Sequence, residues 1–250
     1  MIVIQIGALL MCRIMSFLAI CPIFSQKGFP NFAKLVVGGS LVISAYPAIT
    51  EYKEIANTVL LGEVAIKEVI FGLAMGYLSQ LVFSGIMMAG QMIDFQVGFS
   101  MAQAYDTMTD VQSAQFSKLY YWLTISIFFM LNLQNLMIYG IINSFKIVPL
   151  GTENISGASV DGVVQLFEKT VEMSLSLAAP MVVAVLIIDI LLGVISRSIP
   201  QINILMMSLS IKTVVSILIF LLALSSLSSF LGNNLSEGIG NMLEFIKSVK

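Results

Sequence analysis

The sequence predicts an all-α membrane protein of about six long apolar helices. Hydrophobic residues make up 58% of the 250-residue chain and charged residues only 10%, against about 25% charged in an ordinary soluble domain. The mean hydropathy is +0.98. Residues 69–93, 119–145 and 213–236 contain no charged side chain, and each stretch exceeds the roughly 20 apolar residues that cross a bilayer as a helix.

Taken in order, the first apolar run covers 1–24, with Arg13 in its middle and no basic residue ahead of it. It reads as a span rather than a secretory signal, which needs a basic flank and a small-residue cleavage site. The second run, 35–49, is the short one. As a helix it would rise only about 23 Å against roughly 30 Å of hydrocarbon, so it is tilted, flanked by protein, or not a true span. Further runs at about 64–90, 119–145, 171–196 and 202–231 complete the six. Between them lie amphipathic segments. Glu63 and Lys67 stand four apart in the favourable order. The stretch 160–172 places Val163, Leu166, Phe167 and Val171 at helical spacing, and the C-terminal segment does so with Leu235, Ile239, Met242, Leu243, Ile246 and Val249. Both read as interfacial or partner-facing helices.

Composition also removes function classes. The chain has no histidine, which excludes Ser-His-Asp and Cys-His nucleophilic sites, His-ligated metals and an imidazole proton relay. No HExxH or G-x-S-x-G motif occurs, so the expectation is a protein that is not an enzyme and has no catalytic residues, metal or cofactor. Cys12 and Cys21 are nine residues apart in one apolar run and read as small buried hydrophobes. A net charge of -2 offers no basic footprint for nucleic acid.

The chemistry-bearing residues are therefore polar groups placed in apolar surroundings. Arg13, Asp94, Asp189 and Arg197 lie in or at the edges of apolar runs, where an ionised group must be paired, snorkel to an interface, or serve function. Arg197, three residues before Pro200, faces the negative end of a helix dipole. Asp189 is apolar on both sides and needs a donor from a neighbouring helix or subunit. The stretch 84–115 gathers Gln91, Gln96, Gln103, Gln112 and Gln115 with Met87, Met88, Met92, Met101 and Met108. Lipid would not solvate those amides, so the stretch is expected to be buried in protein or to line a wet cavity. Methionine re-packs around varied surfaces, which suits a closable pore for polypeptide, while a polar loop with Met as core filler is the bland alternative. Gly72 and Gly76 form a GxxxG, and Gly85 with Ala89 extends the small-residue spacing, predicting close helix contact.

These patterns together resemble the FliR family of the flagellar export apparatus, related to the SctT subunits of virulence type III secretion. The resemblance covers about residues 10–225. It rests on Arg13, Pro22, Phe24, Pro30, Lys34 and Pro47; on AGQMIDFQVGFSMA from Ala89 to Ala102, followed by Asp106; and on Phe128, Phe129 and Asn132. Ser144, Phe145, Pro149, Leu150 and Gly151 resemble the family's S-F-x-x-x-P-x-G turn, and Ala179, Pro180 and GVISRSIPQINI with Lys212 resemble its last signature. Where the family has Asn-Gly-His this chain has Asn132, Leu133 and Gln134, which removes a histidine-based proton role.

The resemblance implies a FliP-like part over about 1–170, a FliQ-like helical hairpin over about 171–232 and an amphipathic tail over 233–250. It implies an export gate in the bacterial inner membrane, at the flagellar basal body, passing unfolded flagellar subunits. The implied partners are FliP-like and FliQ-like subunits, FlhB-like and FlhA-like export components and membrane lipid. Gly98, Phe99, Met101 and Met108 are the candidates for a neutral plug. Arg13, Gln91, Asp94, Asp189, Arg197 and Gln201 are the candidates for buried polar structure. The alternatives are an injectisome subunit of the SctT type, or an ion-coupled small-molecule transporter using Asp94 and Asp189.

Overall fold

A computed structural model describes residues 2–25, 28–49, 55, 57–99, 114–152, 160–198 and 204–249, with the side chains of 160–163 and 204–206 left aside. All regular structure among them is helical: α1 (Ile2–Ile20), α2 (Asn31–Ala45) followed by a 3₁₀ turn at Tyr46–Ala48, α3 (Thr58–Val97), α4 (Gln115–Met130), α5 (Leu133–Ile147), α6 (Val160–Ser198) and α7 (Ile204–Ser248). Four of these helices are long and apolar enough to cross a membrane, namely α1, α3, α6 and α7. The protein is an all-α membrane protein.

The helices differ from the apolar runs in three instructive ways. The charge-free stretch 119–145 is two helices, because Asn132 adopts a left-handed backbone at φ 55°. Asparagine tolerates that conformation better than most residues. The amphipathic segments 160–172 and 235–249 are not separate elements but the beginning of α6 and the end of α7. No proline or terminating loop separates them from the apolar runs, and a change from one-sided to all-round hydrophobicity does not interrupt helix hydrogen bonding. At 40, 39 and 45 residues, α3, α6 and α7 would each run about 60 Å or more if straight, roughly twice the hydrocarbon thickness. Pro180 lies inside α6, a placement tolerated in membrane helices when nearby groups satisfy the freed carbonyl.

The chain divides into two compact units. The first comprises Met1–Val82, Phe128–Leu166 and Asn234–Lys250. Its core contains Leu9, Leu10, Ile14, Phe17, Phe71, Met75, Ile141, Phe145 and Met242. The GxxxG expectation is met there: a Cβ on Gly72 would collide with Ser16 Oγ and the Arg13 carbonyl, and one on Gly76 would stand 2.9 Å from the Phe17 carbonyl. These two glycines let α3 lie directly on the backbone of α1. Phe71 stacks on Phe245 with centroids 5.8 Å apart.

The second unit comprises Phe83–Ile127 and Phe167–Asn233. Its core contains Ile86, Ala89, Ile93, Val97, Phe116, Tyr120, Met181 and Val185. Phe220 meets Phe116 and Tyr120 edge-on, at 6.3 and 5.8 Å. Gly90, which follows Ala89, abuts the backbone of Ser117 and so brings α3 against α4.

Candidate functional site

Arg13 is completely buried in the first unit. An isolated guanidinium there would be prohibitively costly, so its surroundings must supply both countercharge and acceptors. They do so from two helices and a turn. Nε donates to Glu68 Oε2 of α3 at 2.5 Å. Nη1 donates to Ser144 Oγ at 3.3 Å and to the Val148 carbonyl at 3.1 Å, at the end of α5. The rings of Phe71 and Phe145 lie 4.7 and 4.5 Å from the guanidinium carbon, within cation–π range. Glu68 is also fully buried, and its Oε1 accepts the Gly151 N–H at 3.1 Å.

Glu68 is the residue that sequence reasoning missed. It stands immediately before the charge-free stretch 69–93. The usable signal was the demand itself, since an arginine buried in an apolar helix needs a countercharge or carbonyl acceptors. Ser144, Phe145 and Gly151 of the S-F-x-x-x-P-x-G turn prove to be the walls of the arginine site.

Two carboxylates organise the second unit. Asp94, in the last turn of α3, is 5% exposed. Its two oxygens accept the backbone N–H groups of Phe116 and Ser117 at 2.9 and 3.0 Å. Those amides belong to the first turn of α4, whose N–H groups have no intrahelical partner and carry the positive end of the helix dipole. Asp94 thus acts as a cap donated by another helix. Asp189 of α6 pairs with Lys212 Nζ of α7 at 2.5 Å and accepts from Gln96 Nε2 of α3 at 3.2 Å. Lys212 Nζ also stands 3.5 Å from the Gln96 carbonyl. The donor expected for Asp189 therefore comes from this chain.

Beyond Gln96 the helix ends at Val97, and Gly98 has φ +103°, a region closed to most side chains. Phe99 lies with its ring centroid 6.2 Å from that of Phe116. Met101, Met108 and Gln201 lie outside the described residues. Gln91 and Arg197 are exposed on the isolated chain, with Arg197 in the last turn of α6. Asp94 and Asp189 do not converge on an open site, since one is taken up by helix amides and the other by an ion pair. Among the described residues no cluster of three or more Cys, Asp or Glu side chains could hold a metal ion.

The profile of bacterial export proteins, family 1, matches residues 4–238. The chain belongs to that family. Among its relatives are the flagellar biosynthetic protein FliR of Bacillus subtilis, 24% identical over 96% of this chain and 94% of the relative, and that of Aquifex aeolicus, 28% identical over 95% and 92%. The surface presentation of antigens protein SpaR of Shigella sonnei is 26% identical over 64% of this chain and 62% of its own. The arginine site, the α4 cap and the Asp189–Lys212 pair all lie within the matched residues.

Proposed function

We propose that this chain is a FliR-type component of the flagellar type III export gate, a conduit in the bacterial inner membrane for unfolded flagellar subunits. The observation that carries the reading is the family match over residues 4–238, joined by the near-complete coverage of the FliR relatives. The helix surfaces support it. In the most apolar windows of α6 and α7 only 22% and 17% of residues are buried within the chain, so most of both helices is left for lipid or other subunits. FliP-like and FliQ-like subunits are the partners proposed to cover them, with FlhB-like and FlhA-like components alongside. In this reading residues 1–170 are the FliP-like part, the hairpin 171–232 is FliQ-like, and 233–250 is the tail.

The work assigned to the chain is non-enzymatic. Its buried charges hold helices together rather than act on a substrate, and an ion-coupled transporter is disfavoured because Asp94 and Asp189 are both committed to protein donors. Closure is assigned to Gly98 and Phe99 with Met101 and Met108, the part of the two methionines resting on sequence: neutral, flexible side chains seal against ions yet re-pack around a passing chain. The test is deletion of the gene, scored for motility and for secreted flagellar subunits. Loss of both with restoration by the wild-type gene supports the reading. Retained motility with loss of virulence effector secretion transfers the chain to the SpaR-like branch, and retention of both secretions refutes export altogether.

A further inference from the structure

The α6–α7 hairpin carries an ion pair in apolar sequence surroundings, with Asp189 beside Ile188 and Ile190, and Lys212 after Ile211. An ion pair that is only partly buried is weak evidence for stability, and the best-attested use of a polar contact set among apolar residues is to fix register. The pair is also not confined to the hairpin. Asp189 accepts from the side chain of Gln96, and Lys212 approaches the carbonyl of the same residue, in the last turn of α3. That carbonyl lies at the negative end of the α3 dipole, where a cation is favoured. Lys212 is the more buried partner, its side chain 14% exposed against 38% for Asp189. One glutamine is thus gripped at both its ends by both members of an ion pair, two residues before Gly98.

We propose that Asp189, Lys212 and Gln96 form an electrostatic latch that ties the end of α3 to the α6–α7 hairpin, and that Lys212 is a positioning residue setting how tightly the resting gate excludes ions and small solutes. The proposal rests on the export-gate reading above. A hairpin held to α3 by directional charge contacts has one register. The same hairpin held by apolar packing alone slides among several, and the α3 terminus goes with it.

The test uses cells making the complete gate, with assembled complex, small-solute uptake and secreted flagellar subunits measured in parallel. The double variant Asp189→Asn with Lys212→Met leaves no unpaired charge. It is expected to assemble within about twofold of wild type and to raise uptake severalfold, whereas Lys212→Arg stays near wild type. Exchanging the charges, Asp189→Lys with Lys212→Asp, is expected to bring uptake back toward the wild-type level. Normal assembly of the double variant with wild-type uptake overturns the latch. So does loss of assembled complex without added uptake, whether or not the exchange repairs it, because the pair is then only a folding element. Failure of the export reading is distinguished by the deletion strain, which would then still secrete flagellar subunits.

Discussion

Replacing Arg13 with alanine removes the cation of a fully buried pair and leaves Glu68 accepting from the Gly151 amide without that countercharge. Ser144 and the Val148 carbonyl lose a charged donor, and Phe71 and Phe145 lose the guanidinium between them. Breaking a buried pair on one side costs about 3–5 kcal/mol, which at 1.4 kcal/mol per tenfold is roughly a hundred- to a few-thousand-fold in the folding or assembly equilibrium. Arg13→Lys should cost less, because the ammonium still reaches a carboxylate. It does not recover everything, because lysine lacks the planar fork that here addresses Glu68, Ser144 and Val148 together. The decisive variant is the double replacement Arg13→Met with Glu68→Leu, which removes both charges and fills much of the space. It should lie close to wild type, since apolar replacement of a whole buried pair is commonly neutral or stabilising. The assay is the amount of intact gate recovered from membranes and its thermal unfolding midpoint in detergent. Equal recovery and midpoint for wild type and Arg13→Ala would refute the argument, and so would a double variant no better than either single one.

Asp94→Ala should expose two orphaned amides at the start of α4 and cost about 1–2 kcal/mol, the usual scale of a lost helix cap, with Asp94→Asn milder. Hydrogen exchange at Phe116 and Ser117 should accelerate in the alanine variant, and unchanged exchange would contradict the cap. Gly72→Val should abolish assembled gate, because its first side-chain atom meets Ser16 and the Arg13 backbone. Gly39→Ala should be silent in the same blot, because nothing lies within 4 Å of that position. Gly98→Val should reduce secretion at normal assembly, since φ +103° strains any β-branched residue. Deleting residues 100–108 should leave assembly largely intact and raise solute uptake, and normal uptake would make the stretch a packed structural loop.

Much of this architecture was legible along the chain because its causes are local. Charge-free runs longer than a bilayer require helices whatever their neighbours. Gly72 and Gly76 marked a face of close helix approach, and Arg13 announced a charge that had to be paired, reach an interface or serve function. The break at Asn132 was weakly signalled by the cluster Asn132, Gln134 and Asn135 within an uncharged run. The helical union of 160–172 with the apolar run after it was hidden, since hydropathy records environment and not hydrogen bonding.

The sequence by itself determined that this is a helical membrane protein without histidine chemistry, and that another backbone would approach the helix carrying Gly72 and Gly76. Only the tertiary structure decided which charges answer one another. Arg13 and Glu68 are 55 residues apart, Asp94 caps a helix that begins 21 residues later, and Asp189 finds Lys212 of α7 and Gln96 of α3. Hydrophobic periodicity depends on each residue's own burial and survives in one dimension. The pairing of buried charges depends on which helix surfaces packing brings within about 3 Å, a length at which electrostatic energy in a low-dielectric interior changes by several kcal/mol.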